Sequence, residues 1–146
     1  LAKIKIGDKK MAVSTRIEYA LRALLEIAEQ GHISAQKICD AQNLPKKYVE
    51  HLLSQLKSSG IVQSTPGSLG GYSLSKDASA VSFFDVVNAV EDDSYNARCE
   101  VGDQRFCLGD ECALSPFFTM LDNKLTEVLS SFSLEDILGI RERKDK

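Results

Sequence analysis

Asn43-Leu44-Pro45-Lys46-Lys47-Tyr48-Val49-Glu50-His51-Leu52-Leu53-Ser54-Gln55-Leu56-Lys57 decides the fold. Asn43 suits the left-handed stop of one helix. Pro45 suits the first position of the next, where its missing N–H costs nothing. Tyr48, Val49, Leu52, Leu53 and Leu56 then recur at helical spacing and mark a buried stripe. Lys46, Lys47, His51, Gln55 and Lys57 fall on the outward face and are of kinds that bind phosphates and base edges. Gly60 closes the helix.

Upstream, Ser34 caps a short helix over residues 35–42, so two helices meet at a tight turn in a helix-turn-helix. Cys39 within it reads as a small buried hydrophobe. Before that, Ser14 or Thr15 opens a longer helix. Thr15-Arg16-Ile17-Glu18 has the form of a capping box in which Glu18 reaches back to the cap amide. Ile17, Ala20, Leu21, Leu24 and Ala28 form its stripe, and Gly31 ends it. Downstream, residues 61–64 read as a strand, 65–71 as a glycine-rich tip and 72–75 as the returning strand. A helix-turn-helix followed at once by such a hairpin is a winged helix. Its glycines are expected to permit positive φ and close approach of backbone to DNA.

Ser82-Phe83-Phe84-Asp85 caps a fourth helix running to about Val90. Ser115-Pro116 pairs an N-cap with a proline at the first helical position. The helix they open carries Phe117, Leu121, Leu125, Val128 and Phe132 on one stripe, with Phe118 and Leu129 beside it. A helix this apolar needs a partner surface, and symmetric pairing with a second copy is the expectation. Ser133-Leu134-Glu135-Asp136 caps a short last helix, with the tail from Arg141 expected to fray.

Between Val90 and Ser115 lies Cys99-Glu100-Val101-Gly102-Asp103-Gln104-Arg105-Phe106-Cys107-Leu108-Gly109-Asp110-Glu111-Cys112. It holds three of the chain's 4 cysteines in a segment with little to bury. Clustered thiols in a polar loop point to a shared inorganic partner, since thiolates bind zinc and iron–sulfur clusters. His32 and His51 read as surface residues.

The totals agree with one compact domain, or with a small domain plus an appended dimerisation element: 146 residues, 43% hydrophobic and 27% charged. The net charge of −3 divides into +5 over residues 1–76 and −8 over residues 77–146. That asymmetry fits a nucleic-acid-facing part joined to a part that faces something else. There is no run long and apolar enough to span a membrane. Residues 1–10 are basic without an apolar core, so they read as a leader or arm and not a secretory signal. The cysteines therefore belong in a reducing, cytoplasmic compartment, where metal or redox roles outweigh structural disulfides. No His/Asp/Ser constellation or phosphate-binding loop supports an enzyme, and a winged helix has no role in an electron carrier.

Residues 11–91 resemble the Rrf-two-type winged-helix transcription regulators of bacteria, the IscR, NsrR and CymR group. The likeness rests on Tyr19-Ala20-Leu21-Arg22-Ala23-Leu24, Leu44-Pro45-Lys46-Lys47-Tyr48-Val49-Glu50-His51-Leu52-Leu53, Gly67-Ser68-Leu69-Gly70-Gly71-Tyr72-Ser73-Leu74 and Asp85-Val86-Val87-Asn88-Ala89-Val90-Glu91. The cysteine loop and the following helix match in arrangement. The resemblance implies a homodimer with long crossing helices and, in several members, an iron–sulfur cluster that controls DNA affinity. It implies Cys99, Cys107 and Cys112 as ligands. For the fourth, one branch uses a histidine where this chain has Ser115; another uses a first-helix carboxylate from the other subunit, at the position of Glu18. The capping role of Glu18 stands beside that. Cluster-binding relatives space their cysteines with five residues in each gap, whereas the gaps here are seven and four, leaving 2Fe-2S and 4Fe-4S both open. Relatives often carry a basic residue just before the first wing glycine; here it is Pro66, so that contact is missing or supplied by another residue.

The expected fold is mainly α with a small β-hairpin. It divides into a winged helix-turn-helix domain (residues 11–91), a cysteine-containing sensor loop (92–114), and a dimerisation helix with a short C-terminal helix (115–140). The expected function is a DNA-binding transcription regulator under iron–sulfur control, the alternative being a zinc-binding or thiol-redox regulator without a cluster. Pro45, Lys46, Lys47, Tyr48, Glu50, His51, Gln55, Ser68, Leu69, Gly70 and Tyr72 are the expected contacts to a pseudo-palindromic double-stranded operator.

Overall fold

Ser14, in extended conformation, accepts a hydrogen bond from the Ile17 amide and starts helix α1, Thr15–Gln30. The cap is therefore Ser14, and the expected box on Thr15 does not form. Glu18 lies one position too far along and instead faces Arg22 across one helical turn, at 3.6 Å. Gly31, at φ 76°, ends the helix. The computed structural model describes residues 13–91 and 113–145. Cys99, Cys107, Cys112 and the basic arm of residues 1–10 lie outside the described residues.

Ser34 caps α2, Ala35–Gln42, through the Lys37 amide. Asn43 stops it in the left-handed region, φ 53° and ψ 53°, as expected. Helix α3, Lys46–Ser58, follows. Pro45 is extended and occupies the N-cap position itself, not the first helical one, so the turn is one residue longer than expected. Val49, Leu52, Leu53 and Leu56 are fully buried, and each contributes roughly 1.5–3 kcal/mol by leaving water. They meet Ala20, Ala23, Leu24 and Ile27 from α1 and Ile38 and Cys39 from α2 in one core. Burial raises the Cys39 thiol above its ordinary pKa, in keeping with a packing residue.

Strands β1, Val62–Thr65, and β2, Gly71–Leu74, pair antiparallel with Val62 opposite Leu74 and Thr65 opposite Gly71. The hairpin gains a third edge that the sequence patterning did not show. Ile33 donates to the Tyr72 carbonyl at 3.0 Å, and Tyr72 donates back to Ile33 at 2.8 Å. These two bonds fix the wing against the α1–α2 connection.

A 3-10 turn at Ala78–Ala80 leads to α4, Phe83–Val90, whose capping box joins Ser82 and Asp85 reciprocally. Helix α5, Ser115–Ser130, has Leu114 at its cap; Ser115 is its first residue and makes no cap bond, correcting the Ser115-Pro116 expectation. Helix α6, Leu134–Asp145, continues through the charged residues expected to fray. The segment between α5 and α6 returns to α4 and the main core. Phe83 donates to the Phe132 carbonyl and Leu134 to the Val81 carbonyl, both at 2.8 Å, and Leu134 is buried in the main core.

Candidate nucleic-acid interface and sensor site

The core stripe of α3 leaves Lys46, Lys47, Glu50, His51, Ser54 and Lys57 exposed, all toward solvent. Their mixture of cations and hydrogen-bonding groups can hold phosphates and read base edges. Gln55 does not join them: it is half-buried, and its Oε1 is enclosed with no hydrogen-bond donor among the described residues. Tyr48 is half-buried as well, with its ring edge-on to Tyr19 at 5.4 Å.

At the wing tip, Ser68 and Leu69 are exposed. Of the wing glycines, Gly67 has the expected positive φ, at 101°, and Gly70 and Gly71 do not. At Gly70 a Cβ would come within 2.4 Å of the Thr65 carbonyl oxygen, and at Gly71 within 2.6 Å of the Ile33 carbonyl oxygen. Gly70 is required by close backbone packing within the hairpin, and Gly71 by the contact of the hairpin with the Ile33 backbone. Tyr72 spends its backbone on Ile33 and packs its half-buried ring against the core.

A polar network that the sequence did not reveal runs behind the recognition helix. Arg22 faces Glu18, lies 5.7 Å from the Tyr19 ring centroid, donates from Nε to the Gln42 side chain at 3.1 Å, and also bonds the Gln42 backbone carbonyl. Gln42 in turn donates to Glu26, a buried carboxylate whose burial without such bonds would be costly. The last residue of α2, next to the turn into α3, is thereby clamped to α1. The spacing of Arg22 and Glu18 was readable; the contribution of Gln42 depends on how α2 lies across α1.

The Ser14 hydroxyl donates to the Glu91 carboxylate, joining the start of α1 to the residue where the cysteine-bearing segment begins. Glu18 stands one turn beyond, its side chain 59% exposed. It lines a cleft of about 650 Å³ with Val13, Leu21, Leu25, Phe83 and Phe132. Among the described residues no three His, Cys, Asp or Glu side chains stand close enough to hold a metal ion together. Since Ser14 caps the helix, the carboxylate of Glu18 is not committed to that task. An exposed carboxylate is a donor of the kind that can join thiolates in an iron–sulfur or zinc site. His32 and His51 are exposed, as expected.

The sequence profile of the Rrf2 family, described as an iron-dependent transcriptional regulator, matches residues 13–139. The chain belongs to the Rrf2 family. Rrf2 is the Rrf-two-type group that the sequence motifs resemble. The chain is 33% identical over 138 residues to the HTH-type transcriptional regulator IscR of Photorhabdus laumondii, spanning 92% of this chain and 84% of that one. Among solved structures, IscR of T. potens superposes with a TM-score of 0.72 at 25% identity, covering 94% of this chain and 93% of that one. CymR, the global cysteine regulator of B. subtilis, gives 0.63 at 26% identity, covering 89% and 98%. This Rrf2 chain is thus a transcription regulator with a winged-helix fold and not an enzyme. No helix among its described residues is long and apolar enough to cross a membrane.

Proposed function

We propose that this Rrf2 regulator binds a pseudo-palindromic operator as a homodimer in the reducing cytoplasm, with its affinity set by an iron–sulfur cluster. The observation that carries the DNA part is the exposed row of Lys46, Lys47, His51 and Lys57 on a helix whose opposite face is wholly buried. Helix α3 lies in successive major grooves of the two half-sites, with the wing at the adjoining minor groove. Lys46 and Lys47 hold phosphates, and Glu50 and His51 are positioned to meet base edges.

The dimer is supported by α5. None of its residues is buried, and Phe117, Met120, Leu121, Leu125 and Val128 face outward. Phe118 and Leu129 are half-buried, with α5 touching α4. The outward stripe runs on to Phe132, which also lines the cleft against α1. A second copy covers this continuous apolar surface.

Cys99, Cys107 and Cys112 would hold the cluster, with Glu18 of the second copy as fourth ligand. When bound, the group supplies a redox- and ligand-sensitive charge. Around it, Glu91 anchors the segment to α1, and Arg22 joins Glu18 to the end of α2. A carboxylate is a weaker ligand than thiolate and suits a site that must respond. A few kcal/mol of preference between two arrangements is enough to change operator occupancy strongly.

Purification without oxygen, followed by visible spectra and iron, sulfide and zinc analysis, tests the sensor. A brown protein containing iron and sulfide is expected, with the chromophore lost on replacing any of the three cysteines by Ala. A colourless protein with zinc supports the alternative zinc regulator. Full iron and an unaltered spectrum in a cysteine variant remove that residue from the ligand set. The same result in Glu18→Ala leaves Glu18 no metal role.

A further inference from the structure

The wing of this chain carries no charge. From Ile61 to Ser75 there is no Lys, Arg, Asp or Glu, and the first cation, Lys76, follows the returning strand. A wing held to the minor groove by electrostatics needs Arg or Lys at its tip, because narrow A/T-rich grooves concentrate negative potential. The tip here offers Leu69 instead, 89% exposed and the most exposed large hydrophobic residue among those described.

The backbone beneath Leu69 is tightly folded. Gly70 donates to the Gly67 carbonyl at 3.0 Å, and the space beside Gly70 is closed by the Thr65 carbonyl. The hairpin is tied to Ile33 through Tyr72, and β1 packs on α3. Leu69 therefore projects from a braced arm attached to the recognition helix.

We propose that Leu69 is an apolar wedge which enters the minor groove beside each half-site and inserts at a base step. Apolar side chains in that position unstack a step and kink the duplex. Pyrimidine–purine steps deform most easily, so the wing selects them without hydrogen-bonding to a base. The contribution involves no counterion release, unlike that of Lys46 and Lys47. This inference rests on the DNA-binding reading above and adds a specificity-determining residue to it.

The test lets wild type and Leu69→Ser each select from a library of random-sequence duplexes. Both are expected to enrich the same half-sites, while only wild type enriches flexible steps beside them. On the wild-type-selected duplex, Leu69→Ser binds about tenfold more weakly with the same salt slope. 2-Aminopurine placed at the enriched step brightens with wild type and not with the variant. An exposed position leaves the fold intact, which circular dichroism checks. Identical flanking preferences, affinity and 2-aminopurine response overturn the wedge and leave the DNA-binding reading standing. A shallower salt slope in Leu69→Ser also overturns it, assigning the wing an electrostatic role. Failure of wild type to enrich any duplex overturns both.

Discussion

Gly71 sits where two backbones touch: an added Cβ would meet the Ile33 carbonyl oxygen at 2.6 Å and its carbon at 2.8 Å. Neither can swing aside as a side-chain tip can. Gly71→Ala should force open the Ile33–Tyr72 bonds and cost about 1–3 kcal/mol, read as a lower urea midpoint. A second residue-scale feature is acid sensitivity. The Ser133 amide, and then the Ser133 hydroxyl, hold the Asp136 carboxyl below its ordinary value of 3.8; the Ser79 amide and hydroxyl do the same for Asp77. A depressed folded-state pKa contributes stability that is complete above the unfolded value and is lost as pH falls through the folded one. Thermal melts of wild type should therefore decline below about pH 4, and Asp136→Asn should show a smaller decline there. An equal decline in both would separate acid sensitivity from the cap of α6.

At the scale of elements, the recognition helix separates two jobs by face. Leu52, Leu53 and Leu56 hold it in place, while Lys46 and Lys47 reach outward from its first turn. Replacing both lysines with Ala should weaken operator binding and flatten its salt dependence by about one unit of slope for each phosphate left without its lysine. Filter binding across a salt series measures this; an unchanged slope would assign the phosphates to other cations. Element types were legible because each carries its own period and punctuation: a helical stripe in α1 and α3, alternation in the hairpin, a left-handed Asn43 between α2 and α3. Their ends were less so. Ser14 rather than Thr15 caps α1, Pro45 caps α3, and the strands do not begin where patterning indicates: β1 starts one residue later and β2 one residue earlier. Neighbouring polar residues compete for one cap, and the winner is set by how the chain enters the helix.

Across the whole molecule, the buried core and the exposed stripe of α5 are opposite solutions to the same requirement. Leu134 enters the main core, yet Leu121 and Leu125 remain outward. Leu121→Asp and Leu125→Asp would each place an unpaired charge in the proposed interface, at a cost of several kcal/mol. Sedimentation should then show monomer or aggregate, against the dimer expected of wild type. A monodisperse wild-type monomer at micromolar concentration would refute the pairing.

The sequence alone determined the order of the elements, the faces of α1 and α3, the winged-helix class and the family, since these follow from local spacing and short motifs. It also marked the cysteine cluster as a candidate sensor through residue type, and Glu18 through the resemblance to the family. Only the tertiary structure decided that Gly70 packs within the hairpin and Gly71 against Ile33, that the Gln55 Oε1 is enclosed, and that Ile33 braces the wing. It alone joined Glu18 and Arg22 to Gln42, and Ser14 to Glu91. Each of these pairs residues whose meeting depends on the angle at which one element crosses another. That angle is set by the packing of the whole core and leaves no periodic trace along the chain.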